Sequence, residues 1–420
     1  MTAPAAPLAA PLSERARLAE ILRIVALNFV SYLCVGLPLA VVAVFVHDRL
    51  GLGTVMAGVA VSAQYLATTL SRPGAGRRCD SRGARGTMLR GLAAHVGGGL
   101  LLVAAALAVE AADAAELAAG GAAVVLPFGL LVASRLLLGL GESWAATAAL
   151  SWGIANTGGR HMAQVISWNG IATYGALSFG APIGLAVFHA GGFLAMGLAV
   201  IACAAGGWLF AWSRPEAPIV HGRRMPLGRV FRAVLPHGAA LCLATLGFGC
   251  IASFIGLHYA SRGWAHPAGA LTAYGLAFIA ARLLFADAIG RAGGYRVALC
   301  SLVAEAAGLA LLGFAPTMVW ALAGAALTGF GFSLVFPALG VEAVGRVDAA
   351  SRGAALGAFA VFLDGGLALA GPVAGLLARD AGYAAVFLAA GGATALAFVI
   401  ALALARRRAS SLSHNPDSPP

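Results

Sequence analysis

The sequence predicts an all-α membrane protein in which twelve transmembrane helices form two six-helix halves. The chain contains about a dozen apolar stretches of the roughly 20 residues that an α-helix needs to cross a hydrocarbon core about 30 Å thick. Hydrophobic residues make up 60% of the sequence and charged residues only 10%, whereas soluble domains have about 25% charged residues. In lipid, a helix satisfies its own backbone hydrogen bonds, so these stretches are predicted to be helical crossings.

The crossings follow one another with short polar joints. In chain order we predict them at 24–46, 53–71, 87–109, 122–146, 162–188, 192–213, 234–258, 268–286, 296–315, 317–341, 353–378 and 383–405. Glycine is frequent, at 57 residues. In membranes this favours close helix packing, because small residues let two backbones approach each other.

The basic residues, all of which are Arg, predict the orientation. With the N-terminus inside, most Arg fall in joints on the cytoplasmic side, Arg72 and Arg282 among them, and only Arg49, Arg262 and Arg379 fall outside. This asymmetry follows the positive-inside rule, so we expect both termini in the cytoplasm. The net charge of +11 is then explained by topology and does not call for a nucleic-acid partner. Arg135 alone is left inside the membrane.

The longest polar joint divides the chain in two. We predict an N-terminal half at 1–213, a cytoplasmic linker at 214–233, and a C-terminal half with a short cytoplasmic tail at 234–420. Because Glu14 and Glu20 interrupt the basic N-terminus and a full-length apolar run follows, we expect no cleavable signal peptide.

Three pairs of segments repeat between the halves: Tyr65–Arg72 with Tyr274–Arg282, Gly139–Ser143 with Gly329–Ser333, and Gly175–Leu185 with Gly365–Gly375. The last two pairs share one offset of 190 positions, which places Pro182 on Pro372. Two six-helix halves related as parallel repeats are the architecture of major facilitator transporters.

Several motifs resemble that superfamily at the expected helices. Gly76–Arg85 (GRRCDSRGAR) is similar to the signature G-x-x-x-D-R-x-G-R-R between helices 2 and 3; Asp80 matches, and Ser81 replaces the usual Arg. Arg135–Glu142 (RLLLGLGE) resembles the R-x-x-x-G-x-G element of helix 4. Gly180–Gly184 (GAPIG) loosely resembles the G-P-x-x-G motif of drug/proton antiporters, and Ser167–Ala172 resembles a YhhS-like bacterial branch.

The resemblance implies a secondary active transporter that moves a small solute by alternating access in the bacterial inner membrane. We expect proton-coupled efflux by antiport; the alternatives are proton-coupled uptake (symport) of a small polar metabolite and a non-transporting membrane sensor. The implied partners are a small-molecule substrate, protons and the lipid bilayer, and we expect a monomer. The sequence has no G-x-x-x-x-G-K-[ST], no H-E-x-x-H and no clustered His. We therefore expect neither an enzyme, nor a cofactor, nor a metal site.

Three charged residues are the candidates for proton coupling, because a charge at bilayer depth is costly and is usually functional. Arg135 and Glu142 are seven residues apart and share a helical face. Asp364 lies deep in helix 11, with no basic residue within a turn or two of its own helix. We therefore expect Asp364 and Glu142 to be the coupling acids and Arg135 to be a cavity charge. The competing interpretation is that both acids only join the halves by hydrogen bonds.

The resemblance also implies a cytoplasmic gate. Its candidate residues are Gly76, Asp80, Arg82, Gly83 and Arg352. Asp80 is expected against the N-terminus of helix 11 when the cavity faces outward, since a helix N-terminus attracts a carboxylate, and Arg352 lies at that terminus. The equivalent position in the second half is Gly290, so we expect the symmetric latch to be missing there or displaced to Asp287.

Polar and helix-distorting residues complete the candidate site. Asn28, Gln64, Trp168 and Asn169 are candidate substrate-cavity residues on helices 1, 2 and 5. The candidate helix-bending residues, in the middle of helices 5 and 11, are Gly180, Pro182, Gly371 and Pro372. In exchangers of the resembled family such a helix 5 seals against leak, which suits antiport. For His95, Asp287 and Glu305 a structural role is the preferred interpretation.

Overall fold

The computed structural model describes residues 14–112, 121–158, 161–217, 227–285, 287–347 and 352–414. Within these ranges the secondary structure is helical and includes no strand, which confirms the predicted all-α class. In the first half, α1 is Glu14–Val44, followed by a π-helical turn at Phe45–Arg49; α2 is Gly53–Arg82, α3 is Ala84–Ala111 and α4 is Ala122–Thr157. The helix Met162–Trp212 contains non-helical backbone at Gly191 and Gly192, which divide it into α5 (162–190) and α6 (193–212).

The second half repeats this order of helices. It comprises α7 at Leu227–Ser261, α8 at Ala268–Leu284, α9 at Gly294–Gly313 and α10 at Met318–Val344, with a short helix Ala288–Ala292 before α9. The helix Arg352–His414 is divided at Gly382, where φ is 81°, into α11 (352–381) and α12 (383–414).

Eight helices in the described ranges, two of which contain these breaks, are long and apolar enough to cross a membrane. The shorter apolar α8 and the more charged α2 bring the described part of the chain to the predicted twelve crossings.

The connection between α2 and α3 differs from the prediction. We expected helix 2 to end at 71 and Gly76–Arg85 to form a loop, but α2 continues through Pro73 to Arg82 and α3 begins at Ala84. Gly83 alone makes the turn with φ at 86°, a left-handed conformation that favours glycine. The Arg and Gly residues that indicated a loop therefore form a helical extension of α2.

The start of the second half also differs. Helix α7 begins at Leu227 instead of 234, so the last part of the predicted linker is helical. Its side chains Val230 and Val234 are fully buried. Arg229 and Arg232 indicated a polar joint here, whereas the apolar positions at i and i+4 lie on one packed face of a helix.

The candidate bending residues of α5 lie in a tight contact inside the first half. A side chain at Gly180 would come within 2.9 Å of Gly36 on α1, and one at Gly184 within 1.8 Å of the Leu37 carbonyl oxygen. The non-helical backbone of this segment lies at Gly191 and Gly192 and not at Gly180 or Pro182. Close packing of α5 on α1 is therefore the observed consequence of these small residues.

The main contacts between the two halves, within the described residues, are those of α2 with α11, α5 with α8, and α1 with α7. A Cβ at Gly58 of α2 would lie 2.1 Å from the Gly371 carbonyl oxygen of α11. A Cβ at Gly256 of α7 would lie 3.0 Å from Val44, near the end of α1. The Thr54 hydroxyl donates to the Gly375 carbonyl at 3.0 Å. Helix α2 begins on the face of the bundle opposite the chain termini, and α1 and α11 end there. These contacts therefore close that face.

Ser62 connects α2 to α11 beside Pro372. Its hydroxyl accepts a hydrogen bond from the Gly371 N–H at 3.0 Å and donates one to the Leu367 carbonyl at 3.4 Å. In a regular α-helix, the N–H of residue i donates to the carbonyl of residue i−4, so the Gly371 N–H and the Leu367 carbonyl are the two groups of one backbone hydrogen bond. The two halves are thus joined through the backbone of α11 at the position of the candidate bending residues Gly371 and Pro372.

The glycine contact between α2 and α11 gives a first prediction. Gly58→Ala should force these helices apart, because its Cβ would overlap the Gly371 carbonyl, and should expose the contact between α1 and α7. Ala40 lies at that contact, since its carbonyl oxygen would be 3.6 Å from a Cβ at Gly256. In a cysteine-free background, Ala40→Cys should then react several-fold faster with an impermeant maleimide. Gly74→Ala on the same helix is the control, since nothing lies within 4 Å of a Cβ there. Equal labelling in the two variants would contradict the prediction.

Candidate functional site

A buried ion pair joins the two halves inside the bundle. Arg72 of α2 donates from Nη2 to Asp364 Oδ1 of α11 at 3.0 Å, and its Nε donates to Oδ2. The side chains are only 14% and 2% exposed. Two parallel charge-assisted hydrogen bonds are the strongest geometry that these side chains form. The carboxylate of Asp364 is therefore neutralised from the opposite half.

This pair corrects two expectations. The sequence assigned Arg72 to the cytoplasmic surface and Asp364 to a region without a basic neighbour. Both assignments considered the residues along one helix, whereas the partner comes from another helix, 292 positions away. In the structure Asp364 is consequently the paired acid of the site.

Glu142 of α4 is held by an uncharged donor. Its carboxylate accepts a hydrogen bond from Gln64 Nε2 at 2.7 Å. The Thr68 hydroxyl lies 3.4 Å from the carboxylate, but its one proton has a nearer acceptor in the Gly139 carbonyl at 3.0 Å. Gly139, one turn earlier, allows the approach, because a Cβ there would lie 2.0 Å from the Gln64 carbonyl oxygen. The glycine of the R-x-x-x-G-x-G element thus brings Glu142 against α2.

Arg135 does not pair with Glu142, although we expected the two to act together. Arg135 is fully buried, and none of its guanidinium nitrogens has a hydrogen-bond partner in the described part of the chain. Seven residues of helix separate the two Cα atoms by about 10 Å along the axis, and the Glu142 carboxylate is directed to α2. The Tyr65 hydroxyl of α2 is likewise buried without a partner among the described residues.

The site therefore contains four ionisable groups whose charges are balanced by their neighbours to different degrees: Arg72, Arg135, Glu142 and Asp364. Glu142 lies within electrostatic range of both Asp364 and Arg72. An uncompensated charge at the middle of a membrane helix costs about 2.5–3.5 kcal/mol on insertion scales. Asp364 is hydrogen bonded to the charged Arg72, whereas the hydrogen-bond donor of Glu142, Gln64, is uncharged. Gain or loss of a proton by Glu142 would accordingly change the net charge of the site.

The candidate cavity residues separate into different environments. Asn28 of α1 donates from Nδ2 to the Thr173 hydroxyl at 3.0 Å and to the Asn169 carbonyl at 3.4 Å, both on α5. Asn28 Oδ1 and Asn169 Oδ1 are buried without a partner in the described ranges. Gln64 belongs to the Glu142 cluster, and Trp168 packs partly buried against apolar side chains of α1 and α5. The structure thus brings Asn28 and Asn169 together, apart from the other two.

The gate residues are described only in part. A Cβ at Gly76 would meet nothing within 4 Å, and Arg82 is exposed. The side chains of Asp80 and Arg352 lie outside the described part, so the latch stays a prediction. Glu216, after α6, accepts a hydrogen bond from the Arg85 backbone N–H at 2.9 Å. This carboxylate lies at the N-terminus of α3, which stabilises a negative charge.

His95 and Glu305, for which a structural role was preferred, are both fully buried. His95 Nε2 of α3 hydrogen bonds with the Ser31 hydroxyl of α1 at 2.7 Å, in agreement with its preferred structural role. Glu305 of α9 is directed at Gly247 of α7, where a Cβ would lie 3.1 Å from Oε1.

Arg282 is the functional candidate that sequence reasoning missed. We assigned it to the cytoplasmic surface, but it is only 8% exposed. Its Nε and Nη2 donate to the Ser333 carbonyl of α10 at 3.3 and 3.1 Å. The repeat that aligns Tyr65–Arg72 with Tyr274–Arg282 was the available signal, because it makes Arg282 the equivalent of the buried Arg72.

Comparisons with known proteins agree with this architecture. Residues 238–420 match the family model described as Major Facilitator Superfamily. The chain is 50% identical over 399 residues to an uncharacterized MFS-type transporter of Burkholderia mallei (strain SAVP1), which covers 95% of both chains. It is 47% identical over 388 residues to one of Pseudomonas aeruginosa (strain UCBPP-PA14), which covers 92% of this chain and 94% of the relative.

Solved structures show the same fold at low sequence identity. The human organic anion transporter MFSD10 (TETRAN) superimposes with a TM-score of 0.69 at 15% identity, covering 92% of this chain and 99% of that one. The nucleoside transporter NupG (D323A mutant) gives a TM-score of 0.66 at 16% identity, covering 91% and 99%. On the strength of the two bacterial relatives, the chain belongs to the major facilitator superfamily.

Proposed function

We propose that the protein is a proton-coupled secondary transporter that exports a small solute by antiport through alternating access. The observation that carries this proposal is the pair of acids at the junction of the halves. Asp364 is neutralised by Arg72 across the junction, and Glu142 beside it is held by uncharged groups. Coupling of transport to protons requires at least one group that can gain and lose a proton. That group must lie close to a contact that changes when the two halves move.

The contacts between the halves support the alternating-access part of the proposal. They close the face opposite the termini, through Thr54 with Gly375 and Gly256 with Val44. We propose that both termini lie in the cytoplasm and that the protein resides in the inner membrane. The described arrangement would then be inward-facing, and the opposite state requires these contacts to separate.

The close packing of α5 on α1 supports export over import. Gly180 and Gly184 leave no room for a side chain between the two helices, which suits a helix that prevents ion leak in an exchanger. The runner-up is proton-coupled symport of a small polar metabolite, which the same buried acids would serve. The direction of the coupled fluxes distinguishes the two.

Reconstituted transport tests this proposal. We expect proteoliposomes containing the protein to move a member of a compound panel against its gradient when a proton gradient of opposite direction is imposed, and to stop when an ionophore collapses the gradient. Movement of solute and protons in the same direction would establish symport instead. Flux that is insensitive to the proton gradient would remove proton coupling from the proposal. Energised cells containing the protein should accumulate less of the compound than cells without it.

A further inference from the structure

Two of the contacts between helices of opposite halves, α2 with α11 and α5 with α8, are related by the internal repeat. Arg72 and Arg282 end the repeated segments Tyr65–Arg72 and Tyr274–Arg282. The offset of 190 positions between α5 and α11 places Tyr174 at the position of Asp364. The structure follows this relation, since Arg72 crosses to Asp364 on α11 and Arg282 faces α5. One contact therefore has an arginine and a carboxylate, and the other has an arginine and a tyrosine.

Arg282 has no carboxylate partner in the described part of the chain. Its hydrogen bonds go to one backbone carbonyl, that of Ser333, whose own hydroxyl is engaged with the Phe278 carbonyl at 2.7 Å. The guanidinium lies 5.2 Å from the centre of the Phe278 ring. A carbonyl and a ring face attract a cation but do not cancel its charge. The positive charge of Arg282 is thus buried and lacks the compensation that Asp364 gives to Arg72.

On the α5 side the Arg282 guanidinium lies against Gly170, whose neighbour in the chain is Asn169. An ideal Cβ at Gly170 would lie 2.7 Å from Arg282 Nη1, so the absence of a side chain at Gly170 lets the guanidinium approach α5. Tyr174 stacks on Phe278 with ring centres 3.7 Å apart and forms an apolar wall. The adjacent residue of α5, Asn169, has a buried amide oxygen without a partner in the described ranges. An amide can present either its N–H or its oxygen to a ligand.

We infer that Arg282 binds the negatively charged group of the transported solute, which we assign to the small organic monoanions. The anion replaces, on the α5–α8 side, the carboxylate that Asp364 supplies on the α2–α11 side. A planar guanidinium forms paired hydrogen bonds with a carboxylate or phosphonate oxygen pair, and Phe278 and Tyr174 offer an apolar surface to the rest of the molecule. That this anion is the transported solute rests on the proposed transport function.

Binding to the purified full-length protein in detergent tests this assignment without a transport measurement. The probes are benzoate, hexanoate and methylphosphonate, with benzamide and hexanamide as neutral controls, and the readout is the shift in thermal unfolding as a function of probe concentration. We expect at least one anion, but neither amide, to raise the unfolding temperature. Arg282→Gln should weaken the binding of that anion by roughly tenfold or more, since hydrogen bonds to charged groups are stronger than those between neutral groups.

Variants distinguish anion binding at Arg282 from binding at another arginine. Arg296→Gln, at an exposed position of α9, should leave anion binding unchanged. Should Arg282→Gln fail to fold, Gly170→Asp provides a second test, because it places a carboxylate beside Arg282 and should exclude the external anion. The inference would be overturned if anions and amides gave equal shifts or if no anion gave a shift. It would also be overturned if binding were retained in Arg282→Gln or in Gly170→Asp, or were lost only in Arg135→Gln. If the anion binds through Arg282 but flux does not depend on the proton gradient, only the proposed proton coupling would be refuted.

Discussion

Asp364→Ala is expected to abolish transport and to lower the free energy of unfolding by about 3–5 kcal/mol, the usual cost of removing one partner of a buried ion pair. The variant leaves the Arg72 guanidinium buried between the halves without its carboxylate. Arg72→Gln should be damaging for the complementary reason, because it leaves the Asp364 carboxylate unpaired. Denaturant titration in mixed micelles gives the stability, and flux of an identified substrate gives the activity.

The double variant Arg72→Gln with Asp364→Asn distinguishes loss of the pair from loss of a residue. It removes both charges and keeps groups that can hydrogen bond, so we expect it to be more stable than either single variant. Removing one partner of a buried pair leaves an uncompensated charge, whereas removing both charges does not. Transport should stay impaired, since the charged contact between α2 and α11 is gone. A double variant no more stable than the single variants would show that the charges are not what stabilises this junction.

An exposed ion pair provides the control for these measurements. Arg379 and Asp380 form hydrogen bonds next to the break at Gly382, where both side chains are largely exposed. Pairs in this environment are screened by water and contribute little to stability. Asp380→Ala should therefore leave unfolding and transport close to those of the parent protein. A large effect there would indicate that the assay responds to any change of charge.

The sequence predicted the fold because apolar length and Arg placement determine it locally. The boundaries expected at 188–192 and 378–383 contain the non-helical glycines Gly191, Gly192 and Gly382. The exception was Gly76–Arg85, which looks like a loop by composition but continues α2 to a single turn at Gly83. The charge and glycine content of this segment show only that it is polar. A helix that extends out of the membrane is polar as well, so composition does not distinguish it from a loop.

The site was predictable as a set of residues and much less as a set of partners. Spacing along one helix shows which side chains share a face, so it correctly marked Arg135, Glu142 and Asp364 as buried. It cannot show which face of another helix meets them, and Arg72 and Asp364 lie 292 positions apart. Arg135 and Glu142 share a helical face but form no hydrogen bond with each other, since Gln64 of α2 binds the Glu142 carboxylate. Arg282 was missed because its depth depends on how α8 and α10 pack.

The assignment of the proton site follows from these partners. An acid that carries a proton must exist in both charge states during the cycle, and a tightly paired cation favours only the charged one. Arg72 holds Asp364 in this way, whereas the Gln64 amide, which can also donate to the carbonyl oxygen of a neutral acid, holds Glu142. We therefore propose Glu142 as the proton carrier and Asp364 as the residue that senses its charge across the junction.

Glu142→Gln is accordingly expected to uncouple transport from the proton gradient while leaving the fold intact. Glutamine has nearly the same size and keeps one oxygen to accept from Gln64, but it cannot bind or release a proton. In the parent protein, a gradient of one pH unit supplies about 1.4 kcal/mol and should drive roughly tenfold accumulation for one-for-one exchange. In the variant the same gradient should drive none, although solute should still equilibrate down its own gradient.

The measurement compares solute accumulation in proteoliposomes with and without an imposed pH gradient. Glu342→Gln is the matched control, because Glu342 pairs with Arg408 away from the site and its loss should leave accumulation unchanged. Asp364→Asn should reduce the rate of flux in both conditions, since it weakens the junction itself. A Glu142→Gln variant that accumulates solute as the parent does would exclude Glu142 as the coupling acid. Loss of the gradient response in Asp364→Asn alone would then transfer that role to Asp364.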